Sequence, residues 1–472
     1  MKMTSKKQNN RLPASTVAII VIVCIALVGV FASCIITISK GNIVPIDGSY
    51  ITTVPEETEP PVPFIEKTVT VGSSGDVILH KPVFEAAYSA DSGEYDFNDI
   101  FTYCAKEIES CDYFVANLET TLAGTENGRT YSGYPLFNAP DSISDALKAG
   151  GVDCLLTANN HAYDTSAYGI QRTQQVIKDR GFDYTGTRTS QEESRYIIKN
   201  IGSINFGFIC YTYETDPPQA GRKALNGIVV DTETAPLVNS FDYNNLTAFY
   251  EDIEGQLSEM KKDGADVLTV YMHWGNEYTL TPNSYQTAIA QKLCDLGVDV
   301  IVGGHPHVIQ PVSLLTSADS SHKTVCVYST GNMVSNQRRQ YMGLKTGHTE
   351  DGMFFEMTFS KYSDGSVVFE SVEVVPTWVH YYAEGGKNVY NIVPLSSDLD
   401  GEKASLGLDK SSTGLALAKE SYDRTMKLVS EGVKECNDYL ASLPRPDDEP
   451  ATETTTESVT ESVTESATEN IG

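Results

Sequence analysis

Apolar residues in this chain recur in two alternating rhythms. Short runs rich in β-branched and aromatic residues stand at 68–71, 113–116, 154–156, 206–211, 267–272, 298–302 and 325–328, and runs of this kind predict strands. Between them, 142–149, 169–179, 246–262 and 284–296 place apolar residues three and four apart, the spacing of one helical face. Residues 353–359 and 367–374 flank Asp364-Gly365, which predicts a hairpin. Farther on, Leu415, Ala418, Tyr422, Met426, Val429, Val433 and Leu440 predict one or two amphipathic helices within 411–442. Strands alternating with helices favour an α/β fold built on a layered sheet.

The two ends depart from this pattern. Thr16 to Ile38 is uninterrupted by charge and follows Lys2, Lys6, Lys7 and Arg11. At 1.5 Å per residue such a stretch spans a bilayer. A cleaved signal has a shorter apolar core and a small-residue exit site, and apolar residues continue past Cys34 as Ile35-Ile36, so the reading is an uncleaved anchor. Its basic flank stays inside, which puts the N-terminus in the cytoplasm and the chain after Lys40 outside the cell, a single-pass protein of the cell membrane. Residues 41–66, with Pro45, Pro55, Pro60, Pro61 and Pro63, predict an extended linker. The last stretch repeats Thr-Glu-Ser and has too little apolar surface to fold. The expected organisation is a stub and anchor over 1–40, the linker 41–66, a folded block 67–385, a helical extension 386–443 and a disordered acidic tail 444–472.

Charge and cysteine narrow the classes. A formal net charge of −29 over 472 residues excludes a nucleic-acid partner, which needs a basic face. It also repels a polyglutamate chain, so binding such a polymer requires metal ions or a local basic clamp. Cys154, Cys210 and Cys326 fall in strand-like runs, where a free thiol acts as a small hydrophobe. Cys104 and Cys111 lie at helical spacing, and no structural disulfide is expected.

Of eight histidines, His161, His273, His305 and His307 stand just after predicted strands, with carboxylates and amides nearby: Gly75-Asp76, Asn117-Leu118-Glu119, and Asn159-Asn160-His161 followed by Asp164. Neutral imidazoles mixed with hard oxygen donors suit divalent transition metals. Each motif alone has a plainer reading: a turn at Gly75-Asp76, a solvated Glu119, a satisfied strand-end His273. Asp164 either caps the following helix or orients His161. Arg338-Arg339 is a candidate anion clamp in so acidic a chain, or a solvated pair. His80 is as readily a plain loop residue as a site residue.

The order of these stretches resembles the capsule-synthesis CapA family, whose fold is related to the calcineurin-like metallophosphatases. The resemblance rests on Gly75-Asp76-Val77, Ala116-Asn117-Leu118-Glu119, Phe137-Asn138-Ala139-Pro140, Ala158 to Asp164, His273-Trp274-Gly275, Gly304-His305-Pro306-His307 and Tyr328-Ser329-Thr330-Gly331-Asn332, all collinear over about 67–380. It implies a layered α-β-β-α sandwich with metal ligands on strand-end loops. The implied ligands are Asp76, Glu119, Asn160, His161, His273, His305 and His307, holding one or two divalent ions, manganese, iron or zinc. His161, His305 and His307 are the implied catalytic histidines, with Asp164 behind His161 and Arg338 and Arg339 toward substrate. Ile78 stands where ordinary calcineurin-like phosphatases carry a histidine. The implied function is metal-dependent hydrolysis of a phosphoester-type bond in poly-γ-glutamate capsule synthesis or export. The other reading is a non-catalytic subunit that binds the polymer. Expected partners are the membrane, capsule synthase or export subunits and an anionic polymer.

Overall fold

The computed structural model describes residues 62–216 and 221–448. The expected membrane anchor, nearly all of the linker and the tail beyond 448 lie outside the described residues. Among the described residues, no helix is long and apolar enough to cross a membrane.

The chain builds two sheets in turn. Strand β1 (Ile65–Val77) pairs in parallel with β2 (Tyr113–Leu118), followed outward by β3 (Cys154–Leu156) and β4 (Asp183–Thr185). The second sheet uses β5 (Ile197–Ile201), β6 (Ile204–Tyr213), β7 (Ser240–Phe241), β8 (Val267–His273), β9 (Val300–Gly304), β10 (Ile309–Thr316) and β11 (Lys323–Thr330). Its order is β7-β6-β8-β9-β11-β10, with β5 beside β6. The chain then returns to the first sheet as β12 (Asn332–Val334), β13 (Asp351–Tyr362), β14 (Val367–Glu384) and β15 (Lys387–Pro394). The first sheet therefore runs β15-β14-β13-β1-β2-β3-β4, with β12 also against β1.

Successive residues of a strand face opposite sides, and here both sides are covered. Tyr113 and Val115 enter a core shared with Phe206, Phe208, Val300 and Val327 of the second sheet, while Phe114 and Ala116 enter another with Ile143, Leu147 and Ile177. The latter belong to α1 (Ser142–Ala149) and α2 (Ser166–Asp179). On the far face of the second sheet, Ile209, Val270 and Met272 meet Ile253 and Leu257 of α3 (Leu246–Lys262) and Ile289 and Leu293 of α4 (Ser284–Asp295). Helix α4 starts where Asn283 and Gln286 cap each other reciprocally. The mixed α/β fold is thus two sheets around one core with helices on their outer faces. Between the layers, the Ser73 and Tyr271 hydroxyls bond at 2.9 Å.

The expected boundaries need correction at both ends. Strand β1 begins at Ile65, inside the expected linker. The extension 386–443 is not purely helical: it opens with β15, the edge of the first sheet. After a short helical turn at Leu399–Glu402, its main helix is α5 (Gly414–Ala441), whose Val429, Cys436 and Leu440 enter the inter-sheet core. Arg424 of α5 grips buried Asp351 with two bonds of 2.9 and 2.6 Å, and Ser421 adds a third at 2.6 Å. All seven cysteines of the described residues are free.

Candidate metal centre

Parallel strands end together, so the residues at their carboxyl ends meet at one edge of each sheet. Asp76 closes β1 next to Asn117 of β2 and Asn332 of β12. Glu119 follows β2 and Asn160 follows β3, all on the first sheet. From the second sheet, His273 is the last residue of β8, in register with Gly304 of β9, and His305 and His307 follow immediately. Close approach of strands needs glycine here: a side chain on Gly75 would meet the Gly331 carbonyl oxygen at 1.8 Å, and one on Gly303 the Tyr328 carbonyl oxygen at 2.0 Å.

These residues converge in two overlapping groups whose ligand atoms lie within 4.8 Å of one another: Asp76, Glu119 and His273, and Glu119, His305 and His307. All five are buried, and Glu119 belongs to both. His273 Nε2 is 2.7 Å from Asn160 Oδ1 and 3.4 Å from Glu119 Oε1. His307 Nδ1 lies 3.1 Å from Asp76 Oδ2 and 3.1 Å from Asn332 Oδ1. Asp76 also accepts from Asn117 Nδ2 at 2.7 Å and from the His305 backbone N–H at 3.2 Å. His305 and His307 hold left-handed backbone at φ +91° and +55°, a conformation that costs non-glycine residues about 1–3 kcal/mol each.

The electrostatics point the same way. Burial raises Asp76, but the His307 bond and charge, with His273 and Asn117, outweigh it and leave the carboxyl below its usual value. Burial opposes charge on His307, yet Glu119 and Asp76 overcome it and lift this imidazole to about 9. Burial and the neighbouring imidazoles push His305 well down. Both oxygens of Glu119 and Nδ1 of His305 are buried without a hydrogen-bond partner. Leaving a buried carboxylate so poorly matched is costly, and a cation among these donors removes the mismatch. The donor set of three imidazoles, two carboxylates and an amide oxygen fits a divalent transition metal.

His161, also expected among the metal ligands, lies outside both groups. Its Nδ1 faces Asp164 Oδ2 at 2.7 Å, and its ring packs edge-on against Phe137. Asp164 also accepts from the Phe137 N–H at 2.6 Å and from Asn226 Nδ2 at 2.9 Å, so it orients the histidine. His80 also packs edge-on against Phe137, and burial pushes its pKa to about 4. The expected anion clamp turns toward carboxylates. Arg338 is buried and donates to the Val379 carbonyl and Glu350, and Arg339 pairs with Glu350 and Glu420. Sequence reasoning missed Asn226, which arrives on a short hairpin (224–229), and the structural parts of Asn117 and Asn332. The last two stood within the quoted motifs, whereas nothing around Asn226 marked it.

Two packed sheets whose strand ends bring carboxylates and imidazoles together define an α/β protein with a candidate centre for divalent metal. The model of the family described as bacterial capsule synthesis protein PGA_cap matches residues 70–337, more than half of the chain, and the chain belongs to that family. It is 28% identical over 272 residues to the capsule biosynthesis protein CapA of Bacillus anthracis, covering 57% of this chain and 60% of that protein. It is 27% identical over 242 residues to the PGA biosynthesis protein CapA of Bacillus subtilis, covering 51% and 57%. A probable polyglutamine synthesis accessory protein of Mycobacterium tuberculosis is 23% identical over 222 residues, covering 44% and 53%. The chain thus spans 53–60% of these relatives' lengths.

Proposed function

We propose that this chain works in synthesis or export of a capsule polymer as a membrane-anchored protein facing outward, and that its buried centre is a metal-dependent hydrolase site for phosphoester-type bonds. The observation that carries this reading is Glu119, shared by both ligand groups and bonded through neither oxygen. A carboxylate so placed suits the bridge between two cations. Asp76, Glu119, Asn160, His273, His305 and His307 would hold one or two ions of manganese, iron or zinc. A bound ion supplies Lewis acidity and makes water nucleophilic near neutral pH.

The chain's own residues supply the rest. Hydrolysis joins a water oxygen to phosphorus, breaks the ester P–O bond and gives the leaving oxygen a proton. Asp164 accepts the Nδ1 proton of His161 and fixes that tautomer, which leaves Nε2 to exchange a proton with substrate. Burial of the strand-end residues limits bulk water. This arrangement favours catalysis over the second reading, a subunit that only binds polymer carboxylates through its metal.

The test is the metal content of the chain purified without chelator, by plasma mass spectrometry, beside Glu119→Gln and His161→Ala. One to two equivalents are expected in the parent and in His161→Ala, with loss in Glu119→Gln. Phosphodiester turnover should fall about 10²–10⁴-fold in His161→Ala. Failure of the parent to take up manganese, iron or zinc sinks the hydrolase; metal with polymer binding and no turnover establishes the binding subunit.

A further inference from the structure

The two ring nitrogens of His307 face different partners. Nε2 lies 3.8 Å from Glu119 Oε1, on the side of the proposed ions. Nδ1 lies 3.1 Å from Asp76 Oδ2 and 3.1 Å from Asn332 Oδ1, an oxygen outside the ligands expected from the sequence. Which end of that amide meets the ring is decided at its other end. Asn332 Nδ2 stands 3.0 Å from the Thr349 carbonyl oxygen, 3.0 Å from Gln337 Oε1 and 3.3 Å from the His307 carbonyl oxygen. Two of these are main-chain carbonyls, which only accept, so the donor end of the amide belongs there. The amide oxygen is left for His307. Between two oxygens Nδ1 carries a proton, and the free lone pair of the ring stays on Nε2.

The surroundings hold this arrangement in place. Asn332, Thr349 and His307 are buried, and the backbone of Asn332 is in register with Asp76 across β12 and β1. The sheet therefore fixes the Cα of Asn332, and its amide has bonds at both ends. Asp76 alone is a poor keeper of the Nδ1 proton. Its Oδ2 also accepts from the His305 N–H, and its carboxylate belongs to a ligand group, so a bound ion competes for the same electrons. The neutral amide of Asn332 has no such second duty. A purely structural task, stitching residues 337 and 349 to β12, accounts for Nδ2 and leaves Oδ1 unexplained.

We propose that Asn332 is a positioning residue of the metal centre: it holds the Nδ1 proton of His307 and so presents this imidazole to a divalent ion through Nε2 alone. The inference rests on the proposed metal centre and adds to it a side chain that touches the ligand but not the ion. Partners of this kind orient a ligating ring and raise its basicity, and their loss weakens metal binding without removing a ligand.

Two measurements on the full chain in mild detergent, stripped with chelator and reloaded, test this. In the first, the chain carries isotope-labelled histidine and zinc, and the NMR signals absent from His307→Gln are those of His307. A proton on Nδ1 with zinc on Nε2 is expected; zinc on Nδ1 overturns the proposal. In the second, cobalt(II) is titrated into the parent, Asn332→Ala and Asn332→Asp and followed by visible absorption. Asn332→Ala should bind about 10–100-fold more weakly, with an altered band. Asn332→Asp keeps an oxygen opposite Nδ1 and should return the parental band, while melting below the parent when metal-free. Parental binding and band in Asn332→Ala overturn the proposal. An equal loss in both variants overturns it too, since it marks stitching alone. Tighter binding with a new band in Asn332→Asp overturns it by making position 332 a ligand. Should the alanine variant not fold, the nitrogen that holds zinc in the parent decides. A parent that takes up neither metal sinks the metal centre and the proposal together, whereas the other adverse outcomes sink the proposal alone.

Discussion

A carboxylate buried beside other carboxylates holds its proton longer than one in water, and Glu356 shows this away from the metal centre. It faces Glu373 directly across β13 and β14, and burial with the charges of Glu373 and Glu107 lifts its pKa to about 7. The folded chain therefore binds this proton more tightly than the unfolded chain. Stability is greatest below the ordinary glutamate value and falls as pH rises toward 7. Glu356→Gln should remove this slope, giving a smaller loss of melting temperature between pH 5 and pH 8 than the parent shows; an unchanged slope refutes it. At this scale the sequence was most legible where residue type and position coincide. Asp76, Glu119, His273, His305 and His307 each follow an apolar run, and strand ends converge by geometry. Adjacent positive charges at Arg338 and Arg339 carry no record in the sequence of Glu350, the carboxylate that folding buries against them. Asn226 was invisible because a hairpin from elsewhere delivers it.

Among the elements, α5 links the C-terminal segment to the sheets through a buried charge. Asp351 is buried at the start of β13, and burial raises its pKa even with Arg424 and Ser421 bonded to it. Arg424→Ala leaves that carboxylate without its counter-charge, at an expected cost of about 3–5 kcal/mol in urea unfolding. Arg424→Lys should fall between, since it keeps the charge and loses the two-pronged geometry; a cost below 1 kcal/mol for the alanine variant would be inconsistent with this account. Helices 142–149 and 246–262 emerge with the boundaries that their periodicity predicts, because each buries one apolar stripe. Strand β15 escaped prediction: Lys387, Asn388 and Asn391 interrupt its apolar run, as an edge strand permits. Helix α5 fills 414–441 as one element, inside the 411–442 expected to hold one or two.

At the scale of the molecule, the ligand groups are divided between the layers. Asp76, Glu119 and Asn160 come from the first sheet, and His273, His305 and His307 from the second. A cation bound by both stabilises the folded state by mass action, about 2.7 kcal/mol at a hundred times its dissociation constant. Loading with manganese should raise the melting temperature, chelator should reverse the gain, and Glu119→Gln should respond to neither; a parent insensitive to both would remove the metal from the fold. The seven cysteines of the described residues, all free, give this division a further meaning. Where other proteins rivet their layers with sulfur, this one joins them across an apolar core and sets a group of ligand atoms along the same seam. A divalent ion taken up there would add a closure that needs no redox chemistry to make or undo.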